Sequence, residues 1–278
     1  MDAAEAQFGP FEGHWRNYKG VGSAGTLNTA EQQALVDGKR LFINWKPWTT
    51  TWKQVADGLR DAQIQAAADS WAANCDDNGE CWITFGHEPE DDIGGPGSGM
   101  TIADHKAMFQ RASSIFATRA PEVKVVWTMM GFETHQPKYP ELWPGASYVD
   151  YIGHDPYISC DGDPALMATR IVNRSIWFRN NLTGASNLPV VVAEWGADLG
   201  GNDWACGTIP AGQTEPGDRG TNQHRADAIT GVRNRLTDVV NAGVIELDFF
   251  DAGSDYFSAN NITNVDTAAY KALKTATE

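Results

Sequence analysis

Val190–Gly196 reads VVVAEWG, an apolar run that delivers Glu194 at its end. A continuous run of β-branched and small residues, without polar alternation, is how a strand buried on both faces reads, as in a parallel sheet covered by helices. Such a strand has no cheap place for a carboxylate except where it meets a loop. Cys81–Glu88, CWITFGHE, has the same form and ends in Glu88. Two strand-end glutamates so far apart in the chain can face each other only if the sheet closes. In a closed β/α barrel, catalytic residues sit on the rim at the C-terminal ends of the strands.

Working outward, strands are predicted at 40–45 (RLFINW), 81–85, 123–129 (VKVVWTM), 148–153 (YVDYIG), 190–196 and 244–250 (VIELDFF). Helical spacing is predicted over 29–37, capped by Asn28 or Thr29, and over 51–74 with a break near Asp61. It recurs over 101–119 behind a Thr101-Ile-Ala-Asp capping box, then over 165–180, 223–242 and 268–276. Alternating strand and helix implies a parallel sheet. The fold class is therefore α/β, a (β/α)8 TIM barrel, with residues 1–278 expected to form a single catalytic domain. Six strands are readable, so two more must come from the first forty residues. A strand near Phe11 is one, and the N-terminal strands are expected to be irregular.

The net charge of −15 argues against nucleic acid and anionic membranes as partners, since both are polyanions. A neutral polymer suits it better, and a monomer is expected. No run approaches the roughly 18 apolar residues of a membrane span. The opening MDAAEAQFG has neither the basic nor the apolar region of a signal peptide, so a secreted protein would carry its leader outside this sequence. Cys75 and Cys81 flank a polar turn that a bridge could close, and Cys160 and Cys206 follow neighbouring strands on one rim. Two disulfides would fit secretion, whereas the spacings match no zinc pattern. No cofactor and no metal are expected.

Glu88 and Glu194 carry the chemistry. Burying a carboxylate raises its pKa, which is what a general acid at neutral pH requires. Two carboxyls about 5–5.5 Å apart across a sugar give retaining hydrolysis, and a gap of about 6.5–9.5 Å gives inversion. Glu90, Asp91 and Asp92, which follow Glu88, read as a surface acidic turn. His154-Asp155 reads either as a substrate-binding pair or as a cap on the next turn. The eleven Trp are mostly core, with a few left to stack on sugar faces. Trp127 reads as core before platform, and strand alternation points Trp195 away from Glu194.

On these residues the chain resembles the clan of retaining glycoside hydrolases with the acid/base on barrel strand four and the nucleophile on strand seven. It is most similar to glycoside hydrolase family 26, which places His before the acid/base, as in His87-Glu88. VVWTMM, YVDYIGHDPY and PVVVAEWG follow in the order of strands five, six and seven, so the resemblance covers residues 40–252. It implies Glu88 as acid/base, Glu194 as nucleophile, His87 beside the −1 sugar and Tyr157 orienting the nucleophile. Trp45 or Trp48 would be a subsite platform, and Phe250 lies where clan members commonly carry Trp on strand eight. Thr84-Phe85-Gly86 replaces the usual upstream Arg, and the Asn-Gly-x-Trp that often follows is missing.

The function expected first is endo-acting hydrolysis of a neutral β-glycan, with β-1,4-mannan ahead of β-1,3-xylan or β-glucan. A sugar-binding barrel without catalysis is the alternative from another class. A metal-dependent hydrolase built on His87, Glu88, His154 and Asp155 is a third.

Overall fold

The computed structural model describes residues 13–75, 81–158, 162–197, 222–249 and 264–277. The chain divides into two compact units, Glu12–His154 with Trp177–Val191, and Met1–Phe11 with Asp155–Ile176 and Val192–Glu278.

In the first unit, five strands lie side by side in chain order: β1 (His14–Lys19), β2 (Arg40–Trp45), β3 (Cys81–Phe85), β4 (Lys124–Met129) and β5 (Tyr151–His154). Each pairs in parallel with the next, through His14 on Arg40, Leu41 on Cys81, Trp82 on Lys124 and Val126 on Tyr151. Helices supply the crossovers: α1 (Thr29–Val36), α2 (Trp52–Ala56), α3 (Asp61–Ala72), α4 (Ile102–Arg119) and the short α5 (Tyr139–Leu142). The reason β2 and β3 are mostly apolar is now visible. Leu41, Phe42, Ile43, Trp45, Cys81, Ile83 and Phe85 are fully buried. Phe85 lies 5.6 Å from Phe109 and 5.2 Å from Phe116, both on α4.

The helix starts follow the sequence signals. Asn28 caps α1 and Thr101 caps α4, each in a reciprocal box with the acid three residues on, Glu31 and Asp104. The expected break near Asp61 falls where Gly58, at φ +83°, separates α2 from α3. Capping of this kind is worth about 1 kcal/mol per helix.

In the second unit, β7 (Val190–Ala197), whose first two residues belong to the first unit, pairs with β6 (Tyr157–Ile158) and with β8 (Val244–Phe249). Tyr157 lies opposite Gly196 and Ile158 opposite Ala197, in parallel. The remaining helices are α6 (Leu166–Asn181), whose residues from Trp177 on belong to the first unit, α7 (Asn222–Asn234), α8 (Leu236–Asn241) and α9 (Asn264–Thr277), and α9 packs on α7. The single helix expected over 223–242 is two, divided at Arg235.

Three expectations about elements change. Among the described residues one strand, β1, precedes β2 rather than two, and the strand expected near Phe11 lies outside them. The two-residue β6 was not legible, because two residues are too few for a period. Its pairing also carries β7 past Glu194 to Ala197, so Glu194 lies within the strand rather than at its last position.

Cys75 and Cys81 are bridged, with their Cα atoms 6.0 Å apart, while Cys160 and Cys206 lie outside the described residues. Among the described residues no helix is long and apolar enough to cross a membrane.

Candidate active site

Glu88 leaves β3 through an abrupt turn. Gly86, at φ +69°, donates its N–H to Trp45 O at 2.8 Å, and two residues later Glu88 itself adopts φ 51°, ψ 50°. Glu88 is the one non-glycine residue with positive φ among those described. Left-handed backbone costs an L-residue about 1–2 kcal/mol and persists where the surroundings enforce it. Here the Glu88 N–H is held by Thr128 O, on β4, at 3.2 Å. From behind, His105 on α4 meets the Gly86 carbonyl through Nε2 at 3.3 Å. Its ring stands edge-on to Trp52 at 4.9 Å, and burial pushes its pKa down to about 4. A neutral imidazole can donate from Nε2 to that carbonyl.

His87 is fixed by Asn44, at the end of β2. The Asn44 amide pairs with His87 Nδ1, and Asn44 Oδ1 accepts the His87 N–H at 3.3 Å. The opposite ring nitrogen, Nε2, lies 3.7 Å from Glu88 Oε2. Burial first, then the charges of Arg16 and Lys46, drive the His87 pKa down to about 3. The ring beside Glu88 is therefore neutral across the physiological range. With Asn44 donating to Nδ1, the ring proton resides on Nε2, on the side of the Glu88 carboxyl.

The wall next to His87 comes from β1, where alternate residues His14, Arg16 and Tyr18 share one face. His14 lies 3.7 Å from Trp82, Arg16 sits over the Phe42 ring at 4.9 Å, and Tyr18 is 5.6 Å from His87. Neither Arg16 nor Asn44 was singled out from the sequence. Period-two spacing in HWRNYK was the available signal for Arg16, and for Asn44 it was a lone amide within an otherwise apolar strand.

Glu90 corrects the surface-turn reading. It is 2% exposed, whereas Asp91 and Asp92 do face solvent. Burial raises its pKa to about 7, against hydrogen bonds that include the one from Met130 N–H to Oε1 at 2.8 Å.

In the second unit, Glu194 is 6% exposed, and its Oε2 accepts the Tyr157 hydroxyl proton at 2.8 Å. The short strand β6 brings that tyrosine beside β7. A hydrogen bond of this type to a carboxylate is worth about 1.5–3 kcal/mol.

The platform expected of Trp45 or Trp48 is corrected, whereas Trp127 is core, as expected. Trp45 is fully buried between Phe85 and Phe116, with its Nε1 donating to Ser23 O at 3.4 Å. Trp48 is 3% exposed and covered by Trp52 and the Gly86 backbone. Trp127 packs among Tyr139, Trp143 and Phe178, and Trp195 is 1% exposed. None of the four offers an open ring face to a sugar, because each is buried. His154 is buried edge-on to Phe178, and Asp155 is buried as well. Phe250 lies outside the described residues.

No family model matches the chain, and no curated protein does. Solved structures do match its fold. An endo-β-1,4-mannanase double mutant from Cellulomonas fimi aligns at TM-score 0.56 and 15% identity, over 87% of this chain and 55% of that one. A glycoside hydrolase family 26 β-mannanase from Bacteroides ovatus aligns at TM-score 0.55 and 14% identity, covering 99% of this chain and 83% of that one. A family 5 broad-specificity endoglucanase from an uncultured bacterium aligns at TM-score 0.60 and 10% identity, with 97% and 83% covered. The chain thus spans about half the length of the Cellulomonas mannanase. At these identities the likeness establishes the fold alone, a β/α barrel.

Proposed function

We propose that this chain is a retaining glycoside hydrolase acting within a neutral β-linked polysaccharide, β-1,4-mannan first, and that residues 1–278 form one catalytic domain. The observation that carries the reading is the Tyr157–Glu194 hydrogen bond at 2.8 Å. It holds a nearly buried carboxylate in one orientation, as a nucleophile needs.

Glu88 donates its proton to the glycosidic oxygen while a Glu194 oxygen attacks the anomeric carbon, giving a covalent glycosyl-enzyme. Glu88, now ionised, takes a proton from water as that water attacks the same carbon and releases Glu194. His87, neutral and braced by Asn44, contributes a ring N–H beside Glu88 and the −1 sugar. No metal or cofactor takes part in these steps. The Cys75–Cys81 bridge supports secretion, and the acidic surface supports an uncharged substrate taken up by a monomer. The endoglucanase likeness favours a second substrate reading, β-glucan cleaved by the same residues.

Proton NMR of the first product anomer from a mannooligosaccharide tests the mechanism. Initial appearance of the β-anomer is expected. Initial α-anomer would replace double displacement with inversion.

A further inference from the structure

Glu90 is an expensive residue for a turn. Its side chain is withdrawn from water, and Lys138 Nζ meets its backbone carbonyl, at 3.1 Å, rather than its carboxyl. The use of that carboxyl is found in the sheet. In a parallel ladder, a residue whose N–H reaches one strand neighbour offers its own carbonyl to the N–H two residues further along that neighbour. Glu88 donates to Thr128 O, so the Glu88 carbonyl would be the ladder partner of Met130 N–H. The left-handed turn at Glu88 breaks that pattern. Met130 N–H donates instead to Glu90 Oε1, at 2.8 Å. Pro89, lying between, has no N–H to compete.

We propose that Glu90 is a positioning residue whose carboxyl oxygen stands in for the ladder carbonyl that Glu88 gives up. The turn is then pinned at two points, Thr128 O on β4 and the N–H of Met130 just past its end, with Glu88 at the first. Glu88 can leave the sheet in left-handed backbone without leaving the part-buried Met130 N–H unpaired, and its side chain keeps one direction. The catalytic part of this inference rests on Glu88 being the acid/base, while the structural part does not.

The test compares Glu90→Gln and Glu90→Met in the full chain. Both fill the buried volume, but only glutamine keeps an acceptor oxygen at that reach. Amide exchange of Met130 is followed by NMR, and kcat and KM are measured on β-mannan. In Glu90→Met, Met130 exchange is expected to quicken by about tenfold or more, and kcat to fall about 10- to 100-fold with KM little changed. Glu90→Gln is expected to restore both. Equal Met130 protection in Glu90→Met and wild type, or equal damage from glutamine and methionine, would overturn the inference. If the wild type cleaves no glycan, the glycosidase reading falls, and Met130 exchange alone still decides whether Glu90 pins the turn.

Discussion

Gly86→Ala introduces a methyl group where the turn before Glu88 has no room. An added Cβ would lie 2.7 Å from Cη2 and 2.8 Å from Cζ3 of Trp48. Alanine at φ +69° costs about 1–2 kcal/mol for the backbone alone. Trp48 cannot swing away cheaply, because it is 3% exposed and stands edge-on to Trp52 at 6.0 Å. Overpacking such a site adds about 1–3 kcal/mol, for a sum of about 2–5 kcal/mol. With about 2.1 cal/mol/K of unfolding entropy per residue, a 278-residue chain loses about 3–9 °C in Tm. Gly97→Ala is the control, since Gly97 has φ +82° and nothing within 4 Å of its added Cβ. It carries the backbone cost alone, about 2–3 °C. Thermal melts of both variants at one pH decide the matter. If Gly86→Ala melts within about 1 °C of Gly97→Ala, the packing of Trp48 on the turn is not what holds it.

Other outcomes follow from single contacts. Tyr157→Phe removes the hydroxyl from Glu194 and is expected to lower kcat about 10- to 100-fold, by steady-state kinetics, and Tm by about 3–5 °C; unchanged kcat would leave that bond without a catalytic role. His87 is held neutral down to about pH 3, while an unfolded histidine takes up its proton near pH 6.5. The unfolded chain therefore binds more protons below pH 6.5, and the stability contributed by neutral His87 is complete above that pH and shrinks as pH falls. Between pH 7 and pH 5 the wild type should lose about 2 kcal/mol more than His87→Gln, and parallel denaturation curves would contradict this. Replacing Cys75 and Cys81 together by Ser opens a loop of sequence separation 6 and should cost about 2 kcal/mol, read as a lower midpoint in urea; an unmoved midpoint would refute it.

Much of the fold could be read from the chain because its strands are buried on both faces. Runs such as RLFINW and VVVAEWG admit few alternatives, and the capping boxes at Asn28 and Thr101 mark their helices directly. β6 was hidden because it exists only through its pairing with Gly196 and Ala197. Glu88 and Glu194 stand out in the sequence as acids closing apolar runs, whereas Tyr157 is reached only through the family resemblance. Trp45 misled because a strand-end position fixes only where a ring begins. Its ring turns toward a helix, and its aromatic partner Phe116 comes from a distant segment of the chain. Glu90 was misread for the converse reason. Three consecutive acids look solvated, and only the left-handed turn at Glu88 carries the first of them under Met130.

The central claim is tested most directly by a reducing-sugar assay over β-mannan, galactomannan, β-1,3-xylan, lichenan and β-1,3-glucan. Wild type is run beside Glu88→Ala and Glu194→Ala, with folding of all three checked by circular dichroism. Release of reducing ends from β-mannan by the wild type, reduced at least about a hundredfold in each variant, is the expected result. Near-normal turnover by Glu194→Ala would contradict the account.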